Sequence, residues 1–209
     1  MSTLEIKNVS YSYEKGKSIL SDINAVFETG KLYAILGTSG SGKTTLLSLL
    51  GGLDAPVKGN ILFDGEDISK NGLEQHRREK VALIFQNYNL IDYMTPIENV
   101  KLTAKKAPLP VLERLGLTTE EAKRNVLKLS GGQQQRVAIA RTLASDAPII
   151  LADEPTGNLD ENTASEITSI LKESAHEFNK CVIVVTHSTE LAKQANVVLQ
   201  LKRGSLHTG

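Results

Sequence analysis

Cysteine is all but absent. Cys181 is the only one in 209 residues, and it lies in an apolar run. No intrachain disulfide can form, and a cytosolic location is expected. Charge of one sign is also lacking: 24 basic residues face 24 acidic ones. A dedicated nucleic-acid binder usually carries a positive excess, so no nucleic-acid partner is expected. No stretch approaches the roughly 18 consecutive apolar residues that span a bilayer, so any tie to a membrane would run through a partner. The opening Met1-Ser2-Thr3-Leu4-Glu5 lacks the basic start and apolar core of a secretory signal, and none is expected. Internal repeats and low-complexity tracts are missing too. What remains is ordinary for a globular chain, with 40% hydrophobic and 23% charged residues. The length suits one sizeable core or two small lobes.

Against this plain background stands Gly37-Thr38-Ser39-Gly40-Ser41-Gly42-Lys43-Thr44. An apolar run, Leu32 to Leu36, precedes it, and Thr45-Leu46-Leu47-Ser48-Leu49-Leu50 follows. Strand, glycine-rich turn and helix make the setting of a phosphate-binding loop. The glycines let successive N–H groups turn inward on a polyphosphate, and the helix start adds partial positive charge. Lys43 can reach the β- and γ-phosphates, and the Thr44 hydroxyl can ligate Mg²⁺. The bland alternative is a glycine-rich turn that binds nothing. The strand and helix on either side argue for a nucleoside triphosphate.

The rest of the chain supports an α/β core. Leu4, Ile6, Val9, Tyr11 and Tyr13 suggest an edge strand, Glu14 to Lys17 a turn, and Ile19 to Phe27 its pairing strand. Asn60 to Gly65 reads as a short strand into a turn. His76 to Lys80 reads as a solvated helical face, and Val81 to Phe85 as a buried strand. From Tyr93 to Leu129 prolines punctuate the chain and no β-rich run appears, while Val111, Leu112 and Leu115 suggest a short amphipathic helix. An inserted helical lobe is expected there. After it come a helix with Val137, Ala140 and Ala144 at helical spacing, and a buried strand at Ile149 to Ala152. Ala164, Ile167, Leu171 and Phe178 mark one face of a further helix. Cys181 to Val185 reads as a strand, Thr189 to Lys193 as a short helix, and Val197 to Leu201 as the last strand.

Three further constellations carry chemistry. The strand Ile149 to Ala152 delivers Asp153 at its C-terminal end, where open α/β sheets bind ligands, and Asp153 could hold Mg²⁺ opposite Thr44. Glu154 follows and could face an attacking water as general base. A solvated acidic turn is the bland alternative. His187 and Gln86 also follow apolar strands. A lone histidine is more often structural, and Gln86 could equally be a turn residue or meet a metal-bound water. Finally, Ser130-Gly131-Gly132-Gln133 opens the helix carrying Val137. It is either a capped helix start or a second anion site without a lysine. If both sites touch one nucleotide, the second must come from another face or another subunit.

Together these residues resemble the ATP-binding cassette ATPase, the nucleotide-binding subunit of ABC transporters. Gly37 to Thr44 matches the Walker A loop, and Ile149 to Asp153 the Walker B strand, with Glu154 as catalytic carboxylate. Leu129-Ser130-Gly131-Gly132-Gln133 matches the family signature, Gln86 the Q-loop, Asn158-Leu159-Asp160 the D-loop and His187 the switch histidine. Tyr13 matches the aromatic that stacks on adenine. Tyr11 is the near miss, two residues along a strand and so expected to face the same way.

The resemblance implies a P-loop NTPase cassette spanning 1–209. Its mainly parallel core, with an antiparallel N-terminal β part, comes from 1–86 and 130–209, and 87–129 form the inserted helical lobe, shorter than the family pattern. It further implies ATP and Mg²⁺ as cofactors. Nucleotide contacts would come from Tyr13, Gly37, Thr38, Ser39, Gly40, Ser41, Gly42, Lys43, Thr44 and Thr45, and from Ser130, Gly131, Gly132, Gln133 and Asp160. The metal would be held through Thr44, Gln86 and Asp153, and catalysis would fall to Lys43, Gln86, Glu154 and His187. A head-to-tail dimer with a second copy or close homologue is implied, as is a permease with few transmembrane helices holding the subunit on the inner face of the membrane. The run Ala152 to Asp160 is similar to the subgroup serving lipoprotein release, macrolide and antimicrobial-peptide export, and cell division. A non-transport ATPase or clamp is the alternative.

Overall fold

The computed structural model describes residues 2–13, 17–157 and 159–208. Residues 14–16 of the expected turn and Asn158 of the D-loop match lie outside them.

Two sheets organise the chain. In the first, β1 (Thr3–Tyr11) pairs antiparallel with β2 (Leu20–Glu28) on one side and with β4 (Lys58–Phe63) on the other, and β5 (Glu66–Asp67) closes the row. β1 is therefore interior and not the edge strand its imperfect alternation suggests. The partner that covers it arrives some fifty residues later in the chain.

The second sheet has six strands. Its parallel part runs β9 (Val197–Lys202), β3 (Leu32–Leu36), β8 (Cys181–Thr186), β7 (Ile149–Asp153) and β6 (Val81–Ile84). Near-continuous apolar runs form these strands because both of their faces are covered. All six residues of β8 are buried. A final strand, β10 (Ser205–Thr208), hairpins back antiparallel onto β9, so Val197 to Lys202 is not the last strand. The Arg203-Gly204 turn, both residues at positive φ, makes that reversal.

Helix α1 (Lys43–Leu50) packs between the two sheets, with Leu46, Leu49 and Leu50 fully buried. Each such side chain contributes about 1.5–3 kcal/mol by leaving water. The opposite face of the parallel sheet is covered by α6 (Gly131–Leu143) and α7 (Glu161–His176). Onto α6 pack α3 (Pro96–Lys101) and α4 (Pro108–Arg114), followed by α5 (Thr119–Lys123) and a 3₁₀ turn at Val126–Lys128. Pro96 and Pro108 each open a helix, where the missing N–H costs nothing. The short α8 (Thr189–Lys193) precedes β9.

Two expectations fail locally. In α2 (Leu73–Glu79) the charged stretch is not wholly solvated. His76 is buried with Nε2 3.0 Å from Leu50 O at the end of α1, and burial holds its pKa below the usual histidine value. Phe178 does not continue the buried face of α7. It lies past the helix end, exposed, between Lys106 at 5.7 Å and the Arg114 guanidinium at 4.9 Å.

Candidate active site

Parallel register decides which residues meet. Leu36 lies opposite Thr186, Val185 opposite Asp153, and Ala152 opposite Ile84. The residues just beyond these ends, at Gly37, His187, Glu154 and Gln86, therefore share one edge of the sheet. Open α/β sheets bind ligands at this edge.

The turn from β3 into α1 is tight. A Cβ on Gly37 would lie 2.5 Å from Ser41 Oγ and 2.9 Å from Leu201 O, so only glycine fits. Gly42 has φ of +100° and serves as N-cap of α1 without any side-chain bond. By contrast α3, α5, α6, α7 and α8 are all capped by side chains. The first N–H groups of α1 are thus left for a ligand. Lys43 folds back on its own loop, donating to Gly37 O at 2.8 Å and Thr38 O at 3.3 Å. Ser41 Oγ is buried with no hydrogen-bond partner among the described residues. An ammonium resting on loop carbonyls, an unpaired hydroxyl and free helix-start N–H groups fit a polyphosphate.

Thr44 Oγ1 donates to Asp153 Oδ2 at 2.8 Å. Burial holds the Asp153 carboxyl above its ordinary pKa. The Thr44 hydrogen bond opposes this, the Glu154 charge adds to it, and Lys43 opposes it. A divalent cation would relieve that penalty, and two hard oxygen donors suit Mg²⁺. Among the described residues no cluster of three or more His, Cys, Asp or Glu forms a protein-only metal cage. Magnesium bound here would complete its shell with water and phosphate oxygens.

Glu154 sits in left-handed backbone at φ +46°, where its N–H donates to Val185 O at 2.9 Å. For a non-glycine residue this costs about 1–3 kcal/mol. The turn aims the carboxylate inward. Its Oε2 lies 3.0 Å from His187 Nδ1 and accepts from the His187 N–H at 3.3 Å, while Oε1 is 3.8 Å from Lys43 Nζ. The Glu154 side chain is 11% exposed and that of His187 72%. Gln86 is exposed just past β6, and among the described residues no hydrogen bond ties it to the others.

Lys43, Thr44, Asp153, Glu154 and His187 are thus brought together. Ser130 to Gln133 are not. Ser130 Oγ accepts from the Gln133 N–H, and Gln133 Oε1 accepts from the Ser130 N–H, a reciprocal cap on α6. Gln133 Nε2 donates to Glu121 at 2.7 Å. Asp160 caps α7, accepting from the Thr163 N–H at 3.0 Å and the Thr163 hydroxyl at 2.7 Å, which hold its carboxyl below its usual pKa.

Tyr13 is 67% exposed with Oη 3.1 Å from Thr45 Oγ1. Tyr11 is buried, its hydroxyl on Asp54, and the two rings meet edge to face. Their expected shared facing fails because β1 ends at Tyr11.

Two side chains of α6 escaped the sequence reading. Arg141 donates to Tyr88 O at 3.0 Å and Asn89 O at 2.6 Å, gripping two consecutive left-handed residues just past Gln86. Gln135 is buried and donates to Pro155 O at 2.7 Å. A signal for Gln135 exists: it falls at helical spacing with the buried Ala138, Ile139 and Thr142.

A family model described as ABC transporter matches residues 20–157. The chain is 48% identical to the uncharacterized ABC transporter ATP-binding protein YclH of Bacillus subtilis, over 98% of this chain and 96% of that protein. It is 39% identical to the macrolide export ATP-binding/permease protein MacB of Hyphomonas neptunium over 97% of this chain, a match that takes in 34% of MacB. Among solved structures, the dimeric post-hydrolysis state of the cassette MJ0796 of Methanocaldococcus jannaschii, bound to ADP and Pi, is similar. Its TM-score is 0.85 at 36% identity, covering 98% of both chains.

Proposed function

The chain belongs to the family of ABC transporter ATP-binding cassettes, which bind and hydrolyse ATP, and from that premise we propose how its residues divide the work. The observation that carries the proposal is the cluster at one sheet edge, with Thr44 on Asp153 and Glu154 between His187 and Lys43. Lys43 leaves the carbonyls of Gly37 and Thr38 for the β- and γ-phosphates, while the loop N–H groups hold the phosphate chain. Tyr13 stacks on adenine. Thr44 and Asp153, with Gln86 past the end of β6, would hold magnesium, which would neutralise phosphate charge. Glu154 takes a proton from the water whose oxygen attacks the γ-phosphorus, and ADP leaves with the bridging oxygen. His187 fixes the acceptor oxygen of Glu154 and faces the γ-phosphate. Fixed donors in a partly dry site stabilise the transferring group more than water would.

One chain leaves the site incomplete. Ser130 to Gln133 and Asp160 stand at the starts of α6 and α7, and among the described residues no hydrogen bond or ion pair joins them to the phosphate loop. We assign them to the nucleotide of a second copy or close homologue in a head-to-tail dimer. Among the described residues no helix is long and apolar enough to cross a membrane. We assign the membrane-spanning work to a permease that holds the cassette on the inner face of the membrane, as the cassette–permease fusion of the MacB relatives supports. A groove of about 750 Å³, bordered by Arg78, Leu83, Phe85, Leu102, Arg141 and Asp146, lies where the helical lobe meets the core and is the proposed seat of that permease. The relatives in which cassette and permease share one chain are described as macrolide export proteins, which supports export of a drug. A peptide or lipoprotein cargo rests on the likeness of the run Ala152 to Asp160 to that subgroup.

The test is tagged co-purification from detergent-solubilised membranes with an ATPase assay of the complex. Recovery of a few-helix permease that raises turnover is expected. Recovery of soluble proteins alone, with activity indifferent to membrane components, would refute the transport assignment in favour of a soluble ATPase or clamp.

A further inference from the structure

Helix α6 does more than present Ser130 to Gln133 at its start. One turn in, Gln135 reaches the segment that follows Glu154. Its Nε2 donates to Pro155 O at 2.7 Å, the residue is 2% exposed, and its Oε1 is buried with no partner among the described residues. The amide has one way to sit, because a carbonyl accepts only from the NH₂ group. Burying an unpaired amide oxygen is costly, and an apolar side chain of the same length would avoid that cost if the position served packing alone.

The acceptor is well placed. Pro155 is the residue immediately after Glu154, whose φ of +46° turns its carboxylate inward. Two backbone bonds hold this turn, Glu154 N–H to Val185 O at 2.9 Å and Gly157 N–H to Glu154 O at 3.1 Å. At the Pro155 carbonyl, Gln135 supplies a third anchor. With all three in place, Glu154 meets His187 Nδ1 at 3.0 Å and Lys43 Nζ at 3.8 Å.

We infer that Gln135 is a positioning residue for Glu154: by holding the Pro155 carbonyl it keeps the turn after β7 in the conformation that aims the carboxylate at the reacting water. The same helix carries Ser130 to Gln133, so the attitude of α6 and the aim of Glu154 are joined through one side chain. The inference rests on Glu154 acting as general base.

A double-mutant cycle on the full chain tests it. Gln135→Leu removes the donor at similar length, and Gln135→Met is the second variant should leucine disturb folding, with thermal unfolding followed for both. Expected are an ATP Kd within about twofold of wild type and a kcat lower by roughly tenfold, a loss in the chemical step rather than in binding. In the Glu154→Gln background, single-turnover rates should change by less than about twofold on adding Gln135→Leu, because a positioning residue has no effect once its target is gone. ATP should still drive that double variant to a dimer. An unchanged kcat, a loss that persists in the Glu154→Gln background, or a failure to dimerise would each overturn the inference while leaving Glu154's role intact. Wild-type turnover by Glu154→Gln alone would remove that role and the inference with it.

Discussion

Replacing Gly37 and Gly40 by alanine, one at a time, separates two reasons for a loop glycine. Gly37 is not among the positive-φ residues, but its added Cβ would lie 2.5 Å from Ser41 Oγ and 2.9 Å from Leu201 O. The serine hydroxyl can rotate away. The carbonyl of Leu201, locked in β9, cannot. Overpacking of this kind costs about 1–3 kcal/mol, and alanine returns about 0.4–1 kcal/mol by stiffening the unfolded chain. A net loss of ~1–2 kcal/mol follows for Gly37→Ala, which lowers Tm by ~2–8 °C in a chain of this size. Gly40 is the converse, with φ +76° and nothing within 4 Å of its Cβ. There the cost is conformational, about 1–2 kcal/mol before the same offset. Thermal unfolding of the nucleotide-free variants reads both numbers, and equilibrium dialysis reads ATP affinity. Gly37→Ala should lose about five- to thirtyfold in affinity where that ~1–2 kcal/mol falls on the phosphate-binding conformation of the loop, at about tenfold per 1.4 kcal/mol. Wild-type Tm and affinity for Gly37→Ala, or a larger Tm loss for Gly40→Ala than for Gly37→Ala, would refute the contact argument.

Glu154→Gln should lower kcat by roughly 10²–10⁴, the usual worth of a general base, and leave an ATP-bound dimer that size-exclusion chromatography resolves; a monomer peak with wild-type hydrolysis would count against the assigned role. Asp153→Asn should abolish Mg²⁺-dependent turnover yet raise the Tm of the nucleotide-free chain near neutral pH. Burial raises the folded pKa of Asp153, so the folded chain binds more protons than the unfolded one between the ordinary and folded values. The penalty of its charge therefore grows as pH rises through the folded pKa. The asparagine gain should shrink as pH falls through the folded pKa and vanish below the ordinary carboxylate value of about 3.9, where the carboxyl is protonated in both states, and a gain that is flat with pH would show that desolvation is not the cause.

How much of this was legible in the chain depended on how far apart the participants lie. The phosphate loop reads directly because every requirement is contiguous: Leu32 to Leu36 make the strand, the glycines make the turn, and Lys43 and Thr44 open the helix. Asp153 and Glu154 read almost as well, since a buried strand must deliver its next residues to the ligand edge. The helical cap at Ser130 is a local bond across three residues and was equally open to view, whereas Asp160, expected only through its D-loop match, proves to cap α7 in the same way.

Other features depended on partners distant in sequence. β1 became interior because β4 returns to it from beyond α1. His76 left the solvated face because the end of α1 offers a carbonyl to a buried imidazole. Tyr11 and Tyr13 parted because Asp54 captures one hydroxyl and the strand stops short of the other. Gln135 and Arg141 are two polar residues of an amphipathic helix until folding sets the carbonyls of Pro155, Tyr88 and Asn89 against them. The sequence by itself picked out the groups we propose to bind phosphate and hold metal, because those groups are neighbours along the chain or stand at strand ends. Only the tertiary structure decided which side chains steady them, because a buried carbonyl takes whichever donor the packing brings within hydrogen-bond reach.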